Sequence, residues 1–336
     1  RDTLGDASYA GSIAVALGGD GSVATNGFWS ALTMATTLRL PMLFYIEDND
    51  LGISVRGDMQ TPGGNIARNL GSFSNLLVRD GDGCEPVESA ALLASLLTGS
   101  EIRESHREGD ARVQDAYALR CMPQVHGPVL DAIRFAEGVI GRELNAATDN
   151  PLVFDDGTML SGGNFHGQAV AMALDFLAIA MTNLATMAER RIDRVVHPDL
   201  NEGLPPFLAR DAGVHSGFMM AQVTAASLAS ECKVLAHPAS VDTIPTDGSK
   251  EDVVPMAMGA AWKLRRIIRN VQHILGIELM VAAQGIEYRR PLRGGQRVER
   301  AFLSVRAHVA PLTDDRVLSP DIIALADAVS RGEFVV

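Results

Sequence analysis

Four groups of residues in this 336-residue chain combine types and spacings that can do chemistry. The first is Gly19-Asp20-Gly21-Ser22, with 26 residues between Gly21 and Asp48-Asn49. Each member follows a short apolar run, Ile13–Leu17 or Met42–Ile46, which places a carboxylate and an amide oxygen at the ends of two strands. Hard oxygens suit magnesium or calcium, and the glycines let a diphosphate approach backbone N–H groups at the next helix start. Taken singly, each member is also what an ordinary tight turn or loop looks like; the pair behind two strands is the more specific signal.

The second group is Gln114, Tyr117 and Arg120, three residues apart and so predicted to share one face of a helical turn. Arginine grips a carboxylate bidentately and a tyrosine hydroxyl can carry a proton, although a solvated helix face with one buried tyrosine has the same spacing. The third is a polar, glycine-bearing connection, Asn145–Phe154 and Leu160–Gly167, that includes Phe165 and His166. A single histidine there reads more often as structural than as a ligand, and the eight histidines show no HxxxH metal spacing. The fourth, Asp242–Asp252, precedes the longest predicted helix. Its Glu251 is either a helix-start charge or a catalytic carboxylate.

The elements that must hold these groups divide the chain in two. Glycine numbers 13 in residues 1–85 and 19 in the remaining 251, a shift that separates α/β from helical architecture. The first part reads as a βαβ unit: strands at Ile13–Leu17 and Met42–Ile46, a helix over Asn26–Arg39, and ligands expected at the strands' carboxyl ends. From about Pro86 the period becomes helical. Val129, Ile133, Ala136, Ile140 and Leu144 define one helix, which Asn150-Pro151 is predicted to end. Gln168–Ile192, Ser216–His237 and Met256–Tyr288 read as long helices buried in a bundle, followed by a smaller pair over Val298–Val309 and Pro320–Arg331. The expected fold is mainly α, a long-helix bundle preceded by a small α/β fragment with a parallel sheet. The expected domains are 1–90 and 91–336.

Composition narrows the function classes. A net charge of −12 argues against a binder of nucleic acid, and 5% aromatic residues argue against a base-stacking surface. Cys84, Cys121 and Cys232 are odd in number and show no CxxC spacing, which favours a reducing, cytoplasmic location over a disulfide framework or zinc site. The most apolar stretch, Ala169–Met181, is interrupted by Asp175 and reads as too short to span a bilayer, so no membrane partner is expected. Opening on Arg1 rather than methionine, the chain is expected to be a fragment or a processed product.

Nearly all of residues 10–85 resemble the thiamine diphosphate-binding region of the decarboxylating component of 2-oxo-acid dehydrogenases, chiefly the branched-chain type. The likeness rests on Gly19–Ser30, Leu40–Asn49, Gly52-Ile53-Ser54 and Gln60–Asn65. It implies that Asp20, the Asn49 side chain and the Leu51 carbonyl hold a magnesium ion, with Gly19, Gly21 and Ser22 beside the cofactor diphosphate. Asp48 stands where that family's first asparagine is usual.

Residues 95–310 resemble the aromatic amino acid ammonia-lyases, most strongly the histidine-directed branch. The motifs are Val113–Gly127, Leu160–Gly167, Gly203–Leu208, Ser216–Met219, Lys233–Asp242 and Ala282–Gly285, in that order. The resemblance implies a mainly helical homotetramer with sites built from several subunits and a small amino acid as substrate. It further implies that Arg120 binds the substrate carboxylate, Tyr117 and Gln114 line the site, Phe165 packs near the electrophile, and Glu251 sits by the imidazole or the leaving ammonia. Glutamate at 251, where phenylalanine-directed relatives look amide-like, favours histidine. Lys250, Val253 and Pro255 depart from the commoner Gln-Glu-Asp-His-Val-Ser-Met pattern. The family builds its methylideneimidazolone electrophile from an Ala-Ser-Gly triad, and this sequence contains none. Residues 86–98 are where one likeness gives way to the other, so the chain reads as a fusion of two truncated enzymes. Three functions are in play: an impaired histidine ammonia-lyase, a thiamine diphosphate-binding fragment, and a non-catalytic self-associating bundle.

Overall fold

The strands of the N-terminal segment are continuous apolar runs, the pattern of strands in a parallel sheet. In the computed structural model, which describes residues 14–19, 26–37, 42–47, 51–52, 55–56, 70, 97–106 and 114–334, they form such a pair. Strand β1 (Ala14–Gly19), helix α1 (Asn26–Thr37) and strand β2 (Met42–Glu47) make the expected βαβ unit, with Ala14 opposite Met42 and Gly19 opposite Glu47. Two-residue strands β3 (Leu51–Gly52) and β4 (Val55–Arg56) pair antiparallel. The chain divides into two compact units, Arg1–Glu85 and Pro86–Val336.

The second unit is helical. Short helices α2 (Glu101–Glu104) and α3 (Tyr117–Arg120) lead into α4 (Met122–Glu143). A small hairpin, β5 (Leu152–Val153) with β6 (Met159–Leu160), interrupts the helices before α5 (Gln168–Val196). Then follow α6 (Met219–Leu235), α7 (Ala257–Arg289), α8 (Gln296–His308) and α9 (Ser319–Ser330).

Alanine decides how closely the long helices approach. On α5, Ala178, Ala185 and Ala188 are fully buried, and α7 supplies Ile267, Ile274 and Ile277 to the same core. At the crossing of α7 with α9, a Cβ on Gly276 would lie 3.0 Å from the Ala326 nitrogen and 3.2 Å from the Ile322 carbonyl oxygen. Only glycine allows those two backbones to sit so close.

The structure moves several predicted boundaries. Helix α4 ends at Glu143, well before Asn150-Pro151, where the Asn145 side chain donates to the Gly141 carbonyl at 2.9 Å and offers its last turn a partner other than the next amide. Its buried seam is Val129, Ala132, Ala136 and Val139, which keeps Val129 and Ala136 of the predicted row; Ile133 packs against the seam partly buried, and Leu144 is exposed. Helix α5, at 29 residues, is by length and composition long enough to cross a membrane, which corrects the expectation that its apolar stretch is too short. It packs against α4, α6 and α7 and buries Asp175 and Glu189, as the core helix of a bundle does.

Candidate functional site

The predicted site residues of the helical unit fall into two places. The first is α3. Tyr117 and Arg120 sit one turn apart at its two ends, both exposed, with the Arg120 guanidinium 4.7 Å from the centre of the Tyr117 ring. This cation–π contact holds the two side chains against each other in a defined direction. Gln114 precedes the helix in a bend, so the three do not share one helical face as their spacing predicted. A four-residue helix has little stability of its own. Ala118 is its buried residue, and the Ala118 carbonyl accepts from Arg191 Nη1 of α5 at 3.4 Å. Arg191 in turn grips Glu278 of α7 through Nε and Nη2, the latter at 3.0 Å.

The second place joins the α4–α5 connection to the loop before α7. Asn150 Oδ1 accepts from the Ser161 hydroxyl and the Gly162 N–H, each at 3.0 Å, and Asn164 Nδ2 donates to the Ala147 carbonyl at 2.9 Å. These bonds shape the loop that presents Phe165, which is half exposed. His166 Nε2 lies 2.8 Å from the Val253 carbonyl, so this histidine bridges the two loops. Glu251 pairs with Thr246 through the backbone and accepts from the Thr246 hydroxyl. Helix α7 begins only at Ala257, so Glu251 is not a helix-start charge.

A buried ion pair anchors that second loop. Asp175 of α5 accepts from the Ser240 N–H at 2.7 Å and from Lys263 Nζ of α7 at 3.1 Å, and Lys263 also donates to the His237 carbonyl. Burial works against the Asp175 carboxylate, but the Ser240 hydrogen bonds and the Lys263 ammonium outweigh it and hold its pKa below the ordinary value.

The two places are far apart in one chain. Gln168, whose side chain bonds the Ser240 carbonyl, and Arg191, which holds α3, are 23 positions apart on α5. At the rise of an α-helix that is about 35 Å. The structure brings Phe165 and Glu251 into one neighbourhood, and Tyr117 with Arg120 into another.

Sequence reasoning missed a cleft of about 550 Å³ behind α3, lined by Leu119, Arg191, Asn201, Glu278, Val281 and Arg289 among others. The signal available was a charged residue on the inner side of each long apolar helix, Arg191 on α5 and Glu278 on α7. In the N-terminal unit, the β1–β2 register puts Gly19 and Glu47 side by side, so the segments leading to Asp20 and to Asn49 depart from the same sheet edge. Asp20, Gly21, Ser22 and Asn49 themselves lie outside the described residues; Leu51 is in β3, opposite Arg56.

Comparison with known proteins assigns the helical part. Residues 84–307, about two-thirds of the chain, match the family model described as aromatic amino acid lyase. The chain belongs to the aromatic amino acid lyase family. Histidine ammonia-lyase of Anaeromyxobacter dehalogenans is 55% identical over 248 residues, 73% of this chain and 49% of that protein. The Koribacter versatilis histidine ammonia-lyase is 51% identical over 261 residues. Among solved structures, histidine ammonia-lyase from Trypanosoma cruzi superposes with a TM-score of 0.63 at 46% identity, covering 66% of this chain and 44% of that one. Tyrosine aminomutase from Streptomyces globisporus gives 0.66 at 37% identity, covering 74% and 51%. This lyase-family chain thus spans about half the length of the curated relatives it matches. Residues 7–95 match a different family model, the dehydrogenase E1 component, and the two matches overlap over 84–95.

Proposed function

We propose that the helical unit carries the carboxylate-binding and glutamate-bearing parts of a histidine ammonia-lyase site, for a reaction that converts L-histidine to urocanate and ammonia. The observation that carries this reading is Arg120 stacked over an exposed Tyr117, in a chain 55% identical to histidine ammonia-lyase over the aligned residues. The planar Arg120 guanidinium is suited to a bidentate grip on the substrate carboxylate, with Gln114 and Tyr117 beside it. Glu251 accepts the imidazole N–H or the leaving ammonia, and Phe165 packs against the ring.

The family's methylideneimidazolone does not fit this chain, because the Ala-Ser-Gly sequence that forms it is absent. Without an electrophile, loss of a non-acidic β-proton and of ammonia lacks its main activation, so the chain by itself turns over very slowly. The separation of about 35 Å along α5 between the two places supports a site completed by further copies, in a homotetramer. Calorimetric titration with urocanate tests the carboxylate grip: binding is expected, and Arg120→Ala abolishes it. Binding that survives Arg120→Ala contradicts the assignment.

The register of β1 and β2 and the dehydrogenase E1 match favour a second role for the N-terminal unit, binding thiamine diphosphate with magnesium. Asp20, Asn49 and the Leu51 carbonyl would hold the metal, and Gly19, Gly21 and Ser22 the diphosphate. Titration with both ligands is expected to give heat that Asp20→Ala removes; no such heat overturns the reading.

A further inference from the structure

We propose that Arg191 and Glu278 are positioning residues that aim Arg120 at the substrate carboxylate, an inference that rests on the carboxylate-binding role assigned to Arg120 above. Helix α3 has four residues and no side-chain cap at its start, so it depends on its surroundings for its orientation. One side-chain donor from the long helices reaches its backbone, Arg191 Nη1 on the Ala118 carbonyl. The other edge of the same guanidinium forks onto the Glu278 carboxylate. The two side chains are only 13% and 22% exposed, and they belong to α5 and α7, whose isoleucines and alanines make the core. A planar group clamped on one edge by a carboxylate presents its remaining N–H in a fixed direction, and that N–H holds α3.

Among the described residues, the carboxylate paired with Arg191 is Glu278, while Glu202 of the same cleft pairs with Arg194. His126 of α4 sits near enough to feel the Arg191 cation; burial and that cation together push its pKa down, and its buried Nε2 has no hydrogen-bond partner among the described residues. A neutral imidazole offers Arg191 no counter-charge. Asp115 lines the same cleft from the segment before α3 and has no ion pair to Arg191 among the described residues. Glu278 is therefore the group that sets the guanidinium's direction, although it never touches α3 itself.

Hydrogen exchange and urocanate titration of the full chain test this together. In Glu278→Gln, one charge-assisted bond is lost, and the amides of Arg120 and Cys121, which bond to Ala116 and Tyr117 carbonyls, are expected to exchange about tenfold faster. The amides of α5 and α7 keep their protection, and urocanate affinity falls about tenfold. Arg191→Lys, which keeps the charge but not the planar fork, is expected to behave as Glu278→Gln does. If Glu278→Gln speeds exchange in α5 and α7 as much as in α3, the pair is merely structural and the proposal is overturned. If Arg120→Ala abolishes urocanate binding while Glu278→Gln leaves both binding and α3 exchange unchanged, this proposal alone falls. If Arg120→Ala leaves binding unchanged, the carboxylate reading fails and takes the proposal with it.

Discussion

The Asp175–Lys263 pair and His126 show how single buried titratable groups set the pH response of the helical unit. Asp175 is held ionised by Ser240 and Lys263, so its folded pKa lies below that of the unfolded chain. The stability it contributes is present above the unfolded value near 3.8 and is lost as pH falls through the folded one. Asp175→Ala leaves the Lys263 ammonium without its carboxylate, and is expected to cost about 3 kcal/mol in chemical denaturation at neutral pH. His126 acts in the opposite sense to an ion-paired histidine. Its pKa is lowered by burial and then by Arg191, so the unfolded chain binds the proton more readily than the folded one. Stability is therefore expected to fall as pH drops through 6.5, and His126→Leu to flatten that slope in a series of thermal melts at different pH. At this scale, the candidate residues were legible in the sequence by type, and their partners were not. Nothing in the spacing of Arg191, Ala118 and Glu278 announces a contact that depends on α5 and α7 lying side by side.

Helix identity was legible for the long helices of the bundle because their apolar period is strong, whereas the short α2 was not foreseen and helix ends and faces were less clear. The predicted ends of α5, α6 and α7 lie within a few residues of those observed. Helix α4 is the exception: proline at 151 looked like a terminator, whereas the helix had already ended at Glu143, with Asn145 bonding the Gly141 carbonyl. Its contact seam added Ala132 and Val139 to the predicted Val129 and Ala136, because α5 presents alanines there, Ala173 and Ala180, against which small residues approach closely, with Ile133 at the margin. Close approach also governs α7 against α9. Gly276→Val places branched carbons against the Ala326 nitrogen and Ile322 carbonyl, which are backbone and cannot rotate away. It is expected to destabilise the bundle by about 3 kcal/mol, measured by denaturant unfolding.

At the scale of the whole molecule, the bundle leaves apolar side chains uncovered in rows. Met172, Phe176 and Ile179 follow one another on the exposed face of α5, and Phe135 of α4 meets Phe176 edge to face at 5.7 Å. Met258 and Trp262 make a similar step on α7. Surfaces of this kind ask for a partner, and the distance between the α3 site and the Glu251 loop makes another copy of the same chain the natural one. The double substitution Phe176→Glu and Ile179→Glu is accordingly expected to lower the mass seen by light scattering, with the helical content unchanged. No reading of the period along α5 could have separated this exposed row from the buried one, since both are apolar. The central claim is that this family member holds the carboxylate grip of a histidine ammonia-lyase without the electrophile. Urocanate formation from L-histidine by the purified chain, set beside its Arg120→Ala variant, tests it most directly. The account predicts that the two are indistinguishable and close to background, whereas a rate well above that of the variant would contradict it.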